Sequence, residues 1–432
     1  MGERTYTNVI TRNSQIKSPK PLHLHIDVPL MLVVIALVVF GLLMVYSASW
    51  NYVLRNNQPA VYVLSAQIRW VIIGSLSAVI LSQINYHIYK KLAVWIMLGT
   101  LFTLVLVLFS NTALGGPART LLKGSIQPSE LAKLAIVIYL SVWLYSKKEQ
   151  LNKITFGLVP MMLILGTTAG LIVLQPDISA AATIVILGGL LFFLGNVDLR
   201  QIVLVLFLAL LVGFVIVEIY PTGKTRIDSY LMGLEDPVQA SYHVQRSMEA
   251  IVRGGFFGVG IGNGTTKFTG LPVPWTDSIF AVIAEETGLL GSMVVIGLYV
   301  LFLWRGLIIA QRAPDLLGKL LASGLSLWIL VEAVINIGVM VNLLPFAGNA
   351  LPLISAGGSS MTTSLAGIGI IMSVGRYTAI KNHSRKGMSL DAVVNMRGRD
   401  RWRSVPRPIR SASARRRSKP SSLGGQSKRD RS

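Results

Sequence analysis

Acidic and basic residues at the ends of long apolar segments are the first indication of chemistry in this sequence. Glu130 and Lys133 are three residues apart and follow Pro128, a residue that suits the first turn of a helix. Residues at i and i+3 share a helix face, so the two side chains are close enough to pair. The pair either fixes the start of this helix or lines a polar cavity.

Asp277 is the strongest candidate for a catalytic group. Thr276 and Asp277 open an apolar segment after the proline-containing stretch 271–275, and both residue types favour a helix N-cap. A capping Thr276 would be sufficient, which leaves the Asp277 carboxylate to project into a cavity at the helix mouth. Asp177 stands at a similar helix start, where the positive end of the helix dipole stabilises an acid. For Asp177 we therefore favour a structural role.

Further polar residues lie inside apolar segments, where each ionisable group costs about 3 kcal/mol to insert into a membrane. Glu285 and Glu286 are adjacent acids, so at least one of them must face the protein interior or water. Glu332 and Asn336 are one helical turn apart and form a polar stripe. These positions extend the candidate site along at least two helices.

Two glycine-rich segments, 254–264 and 357–360, permit close approach of the backbone. The second is either a helix-packing site or a polar nest for an anion. Neither has the strand–loop–helix context of a nucleotide-binding loop. The chain has no cysteine, which excludes disulfides and thiolate chemistry, and its five histidines lack the spacing of a zinc site.

Long apolar runs that alternate with short polar ones must position these residues. The chain is 52% hydrophobic and 14% charged, whereas a soluble protein carries about 25% charged residues. Runs of roughly 20 apolar residues cross a bilayer as helices, and these runs are too long and continuous for barrel strands. The sequence predicts an all-α polytopic membrane protein with about ten spans, near residues 28–48, 67–84, 91–109, 131–146, 154–174, 179–196, 200–219, 278–304, 318–343 and 350–375.

An even number of spans places both termini on one side of the membrane. Lys and Arg concentrate in the connections that would share that side, including 147–153 and 305–319, so the positive-inside rule predicts cytoplasmic termini. The predicted organisation is a cytoplasmic segment 1–27, a membrane domain 28–375 with a large extracytoplasmic loop 220–277 between spans 7 and 8, and a C-terminal tail 376–432.

The C-terminal tail carries most of the net charge of +21. Residues 376–432 contain 17 Lys and Arg against three Asp, which gives the tail a net charge of +14. Its polar composition, with scattered Pro, Ser and Gly, predicts disorder. A basic tail directly after a span favours anionic membrane lipid or a partner protein, so we do not expect nucleic acid as a ligand.

Taken together, the motifs resemble the SEDS family, the shape, elongation, division and sporulation proteins. The similarity runs over residues 27–376 and is specific as an ordered set of motifs at 45–49, 127–133, 175–177, 254–263, 276–288 and 336–360. The stretch 259–263 with Lys267, and the end of the first span at 46–49, are more similar to the division branch than to the elongation branch.

The resemblance implies a peptidoglycan glycosyltransferase of the bacterial cell membrane, acting at the division septum if the branch is correct. Such an enzyme polymerises lipid II by forming a β-1,4 bond with inversion and releases undecaprenyl diphosphate. The resemblance also implies a class B penicillin-binding protein, a transpeptidase, as partner, together with other proteins of the division or elongation machinery. A lipid II flippase and a non-catalytic division scaffold are the alternatives.

The family pattern also implies roles for individual residues. Asp277 matches the essential acid, and we expect it to act as general base toward the acceptor 4-hydroxyl or as a metal ligand beside it. No cofactor is certain, and a divalent cation, Mg²⁺ or Mn²⁺, is the one candidate. The expected substrate-binding residues are Glu130, Lys133, Arg119, Lys123, Gln127, Lys267, Asn336, Ser359 and Ser360, with Arg119, Lys123 or Lys133 facing the diphosphate.

The chain departs from the family pattern at several positions. Thr120 replaces an aromatic residue, and Val273 and Trp275 replace a Glu and a His shortly before the catalytic acid. Ser179 and Glu332 stand where Gly and Gln are usual. These departures concern the positioning of substrate and leave the catalytic acid and the helix-start ion pair in place.

Overall fold

The computed structural model of this protein describes residues 27–114, 127–151 and 157–399, and every long regular element in those ranges is an α-helix. The helices are α1 Val28–Arg55, α2 Tyr62–Gln83, α3 Tyr89–Leu114, α4 Pro128–Ser146, α5 Val159–Val173, α6 Ile178–Leu194, α7 Leu199–Ile219, α8 Pro221–Glu235, α9 Tyr242–Gly254, α10 Ile279–Arg312, α11 Leu316–Met340 and α12 Gly358–Arg399.

Seven helices in the described ranges are long and apolar enough to cross a membrane. They are α1, α2, α4, α7, α10, α11 and the segment Tyr86–Phe109 that contains most of α3. Helices α5 and α6 are apolar but shorter, with 15 and 17 residues. The predicted multi-pass α-helical architecture is therefore confirmed, whereas the number of ten spans and their orientation stay predictions.

The helix that corresponds to the last predicted span begins later than the sequence indicated. We predicted it from residue 350, but α12 begins at Gly358. The apolar side chains of Leu351, Leu353 and Ile354 are buried in a turn rather than in a span. This turn is held from outside, since the amide of Ala356 donates to the carbonyl of Trp275 at 2.8 Å.

The far end of α12 also differs from the sequence-based expectation. The helix continues to Arg399, where we predicted irregular chain from 376 onward, and this stretch contains no proline to interrupt it. The described residues 382–399 belong to a different compact unit from the described residues before them. The part after Arg399 lies outside the described residues, so disorder there stays a prediction.

Helices α4, α10 and α11 lie at the centre of the first unit. Helix α11 packs against α10, α4 and α6, and α4 packs against α3, α6 and α11. Helices α2 and α7 expose most of their surface. Polar residues on α4, α10 and α11 are therefore enclosed by protein, which is where ionisable groups within a membrane are found.

An ion pair joins the start of α1 to the end of α10. Asp27 accepts a hydrogen bond from the Leu30 amide at 3.0 Å and so caps α1. The Arg305 guanidinium approaches both carboxylate oxygens of Asp27, the closer at 2.7 Å. The pair fixes the two helices at one level, the end of the bundle at which both termini are predicted to lie.

Candidate functional site around Asp277

Asp277 lies in the connection that enters α10, not within the helix. Helix α10 begins at Ile279 with Ser278 as its N-cap residue, and the Ser278 side chain makes no capping hydrogen bond. The expectation that Thr276 caps this helix was wrong, because its hydroxyl donates to the carbonyl of Val273 at 3.3 Å. Asp277 is half-buried.

Three successive backbone carbonyls of this connection are each held by a separate donor. The Trp275 carbonyl accepts from the Ala356 amide at 2.8 Å, and the Thr276 carbonyl accepts from the Ser355 hydroxyl at 2.7 Å. The Asp277 carbonyl accepts from the side-chain amide of Asn336 at 2.8 Å. The backbone at Asp277 is therefore fixed between α11 and the turn before α12.

Asn336 links this connection to a second segment. Its buried side-chain amide also donates to the Asn349 carbonyl at 2.6 Å. The Asp277 carboxylate lies against the same segment, since a Cβ atom at Gly348 would come within 3.0 Å of Asp277 Oδ2. Any side chain at position 348 would crowd the carboxylate. Asn336, which we expected to bind substrate, joins the backbone at Asp277 to the backbone at Asn349.

Residues of α8 and α9 pack against the segment 344–349, which precedes the turn before α12 and contains Gly348. The His243 ring, on α9, stacks on Phe346 with ring centroids 4.3 Å apart, and the Arg226 guanidinium lies 5.5 Å from the same ring. Burial lowers the pKa of His243, and the positive charge of Arg226 lowers it further. Both effects favour the neutral form of the ring, which packs against Phe346 in the segment that contains Gly348.

The predicted pairing of Glu130 and Lys133 is confirmed. Pro128 is the first residue of α4, and the Lys133 ammonium donates to Glu130 Oε1 at 2.8 Å. A second acid completes the group, because Lys133 also donates to Glu332 on α11, and all three residues are buried. Glu332 was expected in a polar stripe but not as a partner of Lys133, since nothing in the sequence relates the facing positions of α4 and α11.

This ion triad of Glu130, Lys133 and Glu332 is linked to the Asp277 region through α11. Glu332 and Asn336 are one turn apart, a rise of about 6 Å along the helix. One turn of α11 therefore presents an acid to Lys133 and an amide to the Asp277 carbonyl. The triad joins α4 to α11 one turn before the residue of α11 that holds the connection around Asp277.

Asp177 organises a neighbouring polar group. It is the N-cap residue of α6, rather than a residue of the first turn, and Oδ1 accepts from the Ala180 amide at 3.2 Å. Oδ2 accepts from the Gln127 side-chain amide at 2.9 Å and from the Ser129 hydroxyl at 3.0 Å. These contacts give Asp177 the structural role that we favoured, and they fix the residues that enter α4.

The remaining candidate residues divide into those near this group and those outside the described residues. The Ser359 hydroxyl, in the first turn of α12, accepts from the Gln127 amide at 3.3 Å, and Ser360 is buried beside it. Gln127, Ser359 and Ser360 are therefore brought together. Arg119 and Lys123 lie in 115–126, outside the described residues.

The contacts of Lys267 were not predicted from the sequence. It is 2% exposed, and its ammonium donates to Ser47 at 2.9 Å, to the Gly262 carbonyl at 2.9 Å and to Glu286 at 2.6 Å. An ammonium has three protons to donate, and all three are used here. Lys267 therefore ties the loop to α1 and α10, and the structure gives this residue a structural role beside the expected role in substrate binding.

Glu285 and Glu286, both on α10, accept hydrogen bonds from the same loop. Glu285 accepts from the amides and hydroxyls of Thr265 and Thr266, at 2.8 Å for the Thr265 amide. Glu286 also accepts from the Ser47 hydroxyl at 2.7 Å. Both acids face the protein interior, so the prediction that at least one would do so is confirmed.

The donor set for a metal ion around Asp277 is small. Among the described residues, no group of three His, Cys, Asp or Glu side chains could hold an ion by itself. Mg²⁺ is commonly bound by one or two carboxylates together with substrate phosphates. A single carboxylate such as that of Asp277 would take part in this kind of site only together with phosphate oxygens from a ligand.

Comparisons with known proteins cover most of the chain. The family model for cell cycle proteins of the FtsW, RodA and SpoVE type matches residues 28–380. A probable peptidoglycan glycosyltransferase FtsW from Trichlorobacter lovleyi is 34% identical over 360 residues, 82% of this chain and 94% of that protein. Stage V sporulation protein E from Bacillus subtilis is 34% identical over 359 residues, 82% of this chain and 97% of that protein.

Solved structures show the same fold. One solved structure concerns the structural coordination of polymerization and crosslinking by a peptidoglycan synthase complex. Its matching chain has a TM-score of 0.66 and 28% identity, and the match covers 82% of this chain and 99% of that chain. The crystal structure of the Thermus thermophilus rod shape determining protein RodA has a TM-score of 0.59 and 24% identity, and covers 82% and 98%.

Proposed function

Because this chain belongs to the FtsW, RodA and SpoVE family of cell cycle proteins, we propose that it is a peptidoglycan glycosyltransferase that polymerises lipid II into glycan strands. The reaction joins two lipid-linked units through a β-1,4 bond and releases undecaprenyl diphosphate. A single displacement inverts the anomeric centre. The lipid tails lie between helices while the sugars meet the residues around Asp277.

Asp277 acts as the general base on the acceptor 4-hydroxyl. A sugar hydroxyl is a poor nucleophile, and a positioned carboxylate that takes its proton accelerates the attack by about 10²–10⁴-fold. The observation that carries this role is the fixed backbone of the catalytic connection, with carbonyls at Trp275, Thr276 and Asp277 each held by a different donor. Such preorganisation keeps a reacting group within reach of its substrate.

The diphosphate leaving group requires positive charge nearby. Lys133 is enclosed between Glu130 and Glu332, so its charge serves the ion triad and keeps α4 and α11 in register. Arg119 and Lys123 are then the candidates to face the diphosphate. As the alternative to its role as base, the Asp277 carboxylate would be the protein ligand of a divalent ion, which would supply charge neutralisation in the site.

The family supports a proposal for the setting of the reaction. Relatives named FtsW support a role in septal wall synthesis during division, and the peptidoglycan synthase complex supports a partnership with a crosslinking enzyme. We propose a class B penicillin-binding protein as that partner, with membrane lipid and other division or elongation proteins as further contacts. Nucleic acid has no part in this function.

Purified protein in detergent tests the proposal directly. Incubation with labelled lipid II should give glycan strands that run as a ladder on a gel and that lysozyme digests. A flippase would move lipid II across vesicles without making strands, and its activity would survive Asp277→Asn. A scaffold would do neither. Absence of strands from well-folded protein, with its partner present, would contradict the proposal.

A further inference from the structure

Helix α10 and the glycine-rich loop share backbone hydrogen bonds at a kink. Gly288 interrupts α10 with φ 68° and ψ −168°. In an unbroken helix the amides of Leu289 and Leu290 would donate to the carbonyls of Glu285 and Glu286. Here those amides donate to the loop carbonyls of Gly255 and Phe256, at 2.9 and 3.2 Å.

The two helix carbonyls released by the kink are used by the same loop. The carbonyls of Glu285 and Glu286 accept from the amides of Val259 and Gly260, both at 3.0 Å. Two helical hydrogen bonds are thus replaced by four bonds between the helix and the loop. The backbone of the loop is satisfied by protein where it meets α10, which is the condition for non-helical backbone at membrane depth.

Glycine allows the loop to approach α10 closely. A Cβ atom at Gly254 would lie 1.9 Å from the Ala284 carbonyl oxygen, and one at Gly258 would lie 2.3 Å from the Glu286 carbonyl oxygen. Both distances are far below a van der Waals contact, and both neighbours are backbone. The loop is therefore seated against the helix and cannot be displaced without opening the kink.

Counting along α10 places this contact below the outer surface of the membrane. Trp304 is 61% exposed beside Arg305, which pairs with Asp27 at the start of α1, and exposed Trp is typical of a membrane boundary. Leu290 lies fourteen residues before Trp304, or roughly 21 Å along the helix. Since the hydrocarbon core is about 30 Å thick, Leu290 lies inside it.

Helix α1, counted from the same ion pair, gives the same level. Ser47 is twenty residues after Asp27, or roughly 30 Å, and so marks the outer boundary. Its hydroxyl donates to the Glu286 carboxylate. Glu286 therefore lies at the boundary, and Leu290, which is closer to Trp304 along α10, lies below it. The loop carbonyl bonded to Leu290 lies at that depth too.

The loop presents aromatic side chains at this level. Phe256 is 68% exposed and Phe257 is 83% exposed, and they continue an exposed apolar strip of α10 that includes Leu290 and Val294. We propose that the segment 255–261 is a re-entrant part of the loop, with Phe256 and Phe257 inserted among the acyl chains of the outer leaflet. The lipid surface, rather than water, covers these two rings.

The absence of cysteine from the chain makes this testable at single positions. Phe257→Cys and, as a second site, Phe256→Cys would carry a nitroxide label in vesicles of phosphatidylethanolamine and phosphatidylglycerol. Val294→Cys is the lipid reference, because it lies on the strip below. Thr269→Cys is the aqueous reference, because the nearby Lys267 carbonyl bonds Asn51, which is one turn beyond Ser47 on α1.

Collision rates with oxygen, which concentrates in lipid, and with a water-soluble nickel chelate decide the outcome. We expect the oxygen-to-nickel ratio at 257 and 256 to be close to that at 294 and several-fold above that at 269. A ratio equal to that at 269 would overturn the proposal. Low collision with both reagents would also overturn it, since another protein surface would then cover the rings. The measurement does not depend on polymerase activity, and unchanged unfolding of each labelled variant verifies its fold.

Discussion

Asp277 and Glu286 are nine residues apart around the start of α10, yet their surroundings differ sharply. Glu286 is buried, and its carboxylate accepts from Ser47, Lys267 and the Gly262 amide. Asp277 is half-buried, and neighbouring segments hold its backbone carbonyl. We call Glu286 the scaffold acid, because protein hydrogen bonds hold its carboxylate. We call Asp277 the presented acid, because neighbouring segments hold its backbone.

This difference separates an acid that stabilises the fold from the acid for which we propose a catalytic role. A buried charge whose hydrogen bonds are all supplied by protein cannot exchange them for substrate without a large loss of stability. A carboxylate on a fixed backbone can change its partners during a reaction at little cost in reorganisation. Burial, rather than residue type, therefore distinguishes the two positions.

Replacing the presented acid should have the largest effect on activity. We expect Asp277→Ala to lower the rate of lipid II polymerisation by about 10²–10⁴-fold, the contribution of a general base. Insertion and thermal unfolding should stay as in the wild type, because the connection is held by its carbonyls. Polymerisation in detergent by well-expressed variant protein is the measurement. A near-wild-type rate would remove the general-base role.

Replacing a scaffold charge should act on stability. Lys267→Met leaves Glu286 buried without its cation, so we expect a loss of about 3–5 kcal/mol in the free energy of unfolding. Lys224→Met is a matched control, since Lys224 and Glu218 form an exposed pair, and its unfolding should hardly change. Denaturant titration in detergent compares the two. Equal stability of both variants would show that the buried pair does not hold the loop.

The ion triad lies between these extremes. We expect Lys133→Ala to lower activity sharply, because it leaves Glu130 and Glu332 buried without a cation, and Glu130→Ala to lower it less, because Lys133 keeps Glu332 as its partner. The double variant should lose less than the sum, with a coupling of about 0.5–3 kcal/mol. Glu332→Gln keeps the Glu130–Lys133 pair and should be tolerated best. Strictly additive effects in the cycle would contradict a functional coupling of the pair.

The C-terminal tail should have the smallest effect on chemistry. A chain that ends near Lys386 is expected to polymerise lipid II in detergent with little loss, because the tail is predicted on the opposite side of the membrane from Asp277. Its charges should instead strengthen binding to anionic lipid by about 1 kcal/mol for each Lys or Arg near the surface. The truncated chain should therefore function poorly in cells.

Control of membrane insertion separates the explanations for a tail effect. The retained Arg376, Lys381 and Arg385 should keep the last span correctly oriented. A truncated chain that inserts normally yet fails on purified lipid II would give the tail a role in catalysis.

Much of this architecture could be predicted from local patterns. Apolar runs predicted the helices of the membrane domain, and the i, i+3 spacing predicted the pairing of Glu130 with Lys133. Both properties depend on residues close in sequence. The ordered motifs also identified the family, which the comparisons confirmed.

Contacts between distant segments could not be predicted. Lys267 joins Ser47 and Glu286 across three segments, and Glu332 meets Lys133 across two helices. We predicted that the last span starts at residue 350, because Leu351 and Ile354 are as apolar as residues within a span, whereas the helix starts at Gly358. The packing of α11 against α4 pairs Lys133 with Glu332, and the packing of the loop against α10 pairs Lys267 with Glu286. Neither packing can be inferred from local sequence.

One paired measurement tests the separation between the presented acid and the scaffold acid. Polymerisation rate and free energy of unfolding would be measured on the same preparations of wild type, Asp277→Asn and Lys267→Met. The account predicts that Asp277→Asn loses polymerisation while it unfolds like the wild type, and that Lys267→Met loses stability. An Asp277→Asn variant that polymerises lipid II at the wild-type rate, or that is destabilised as much as Lys267→Met, would contradict it.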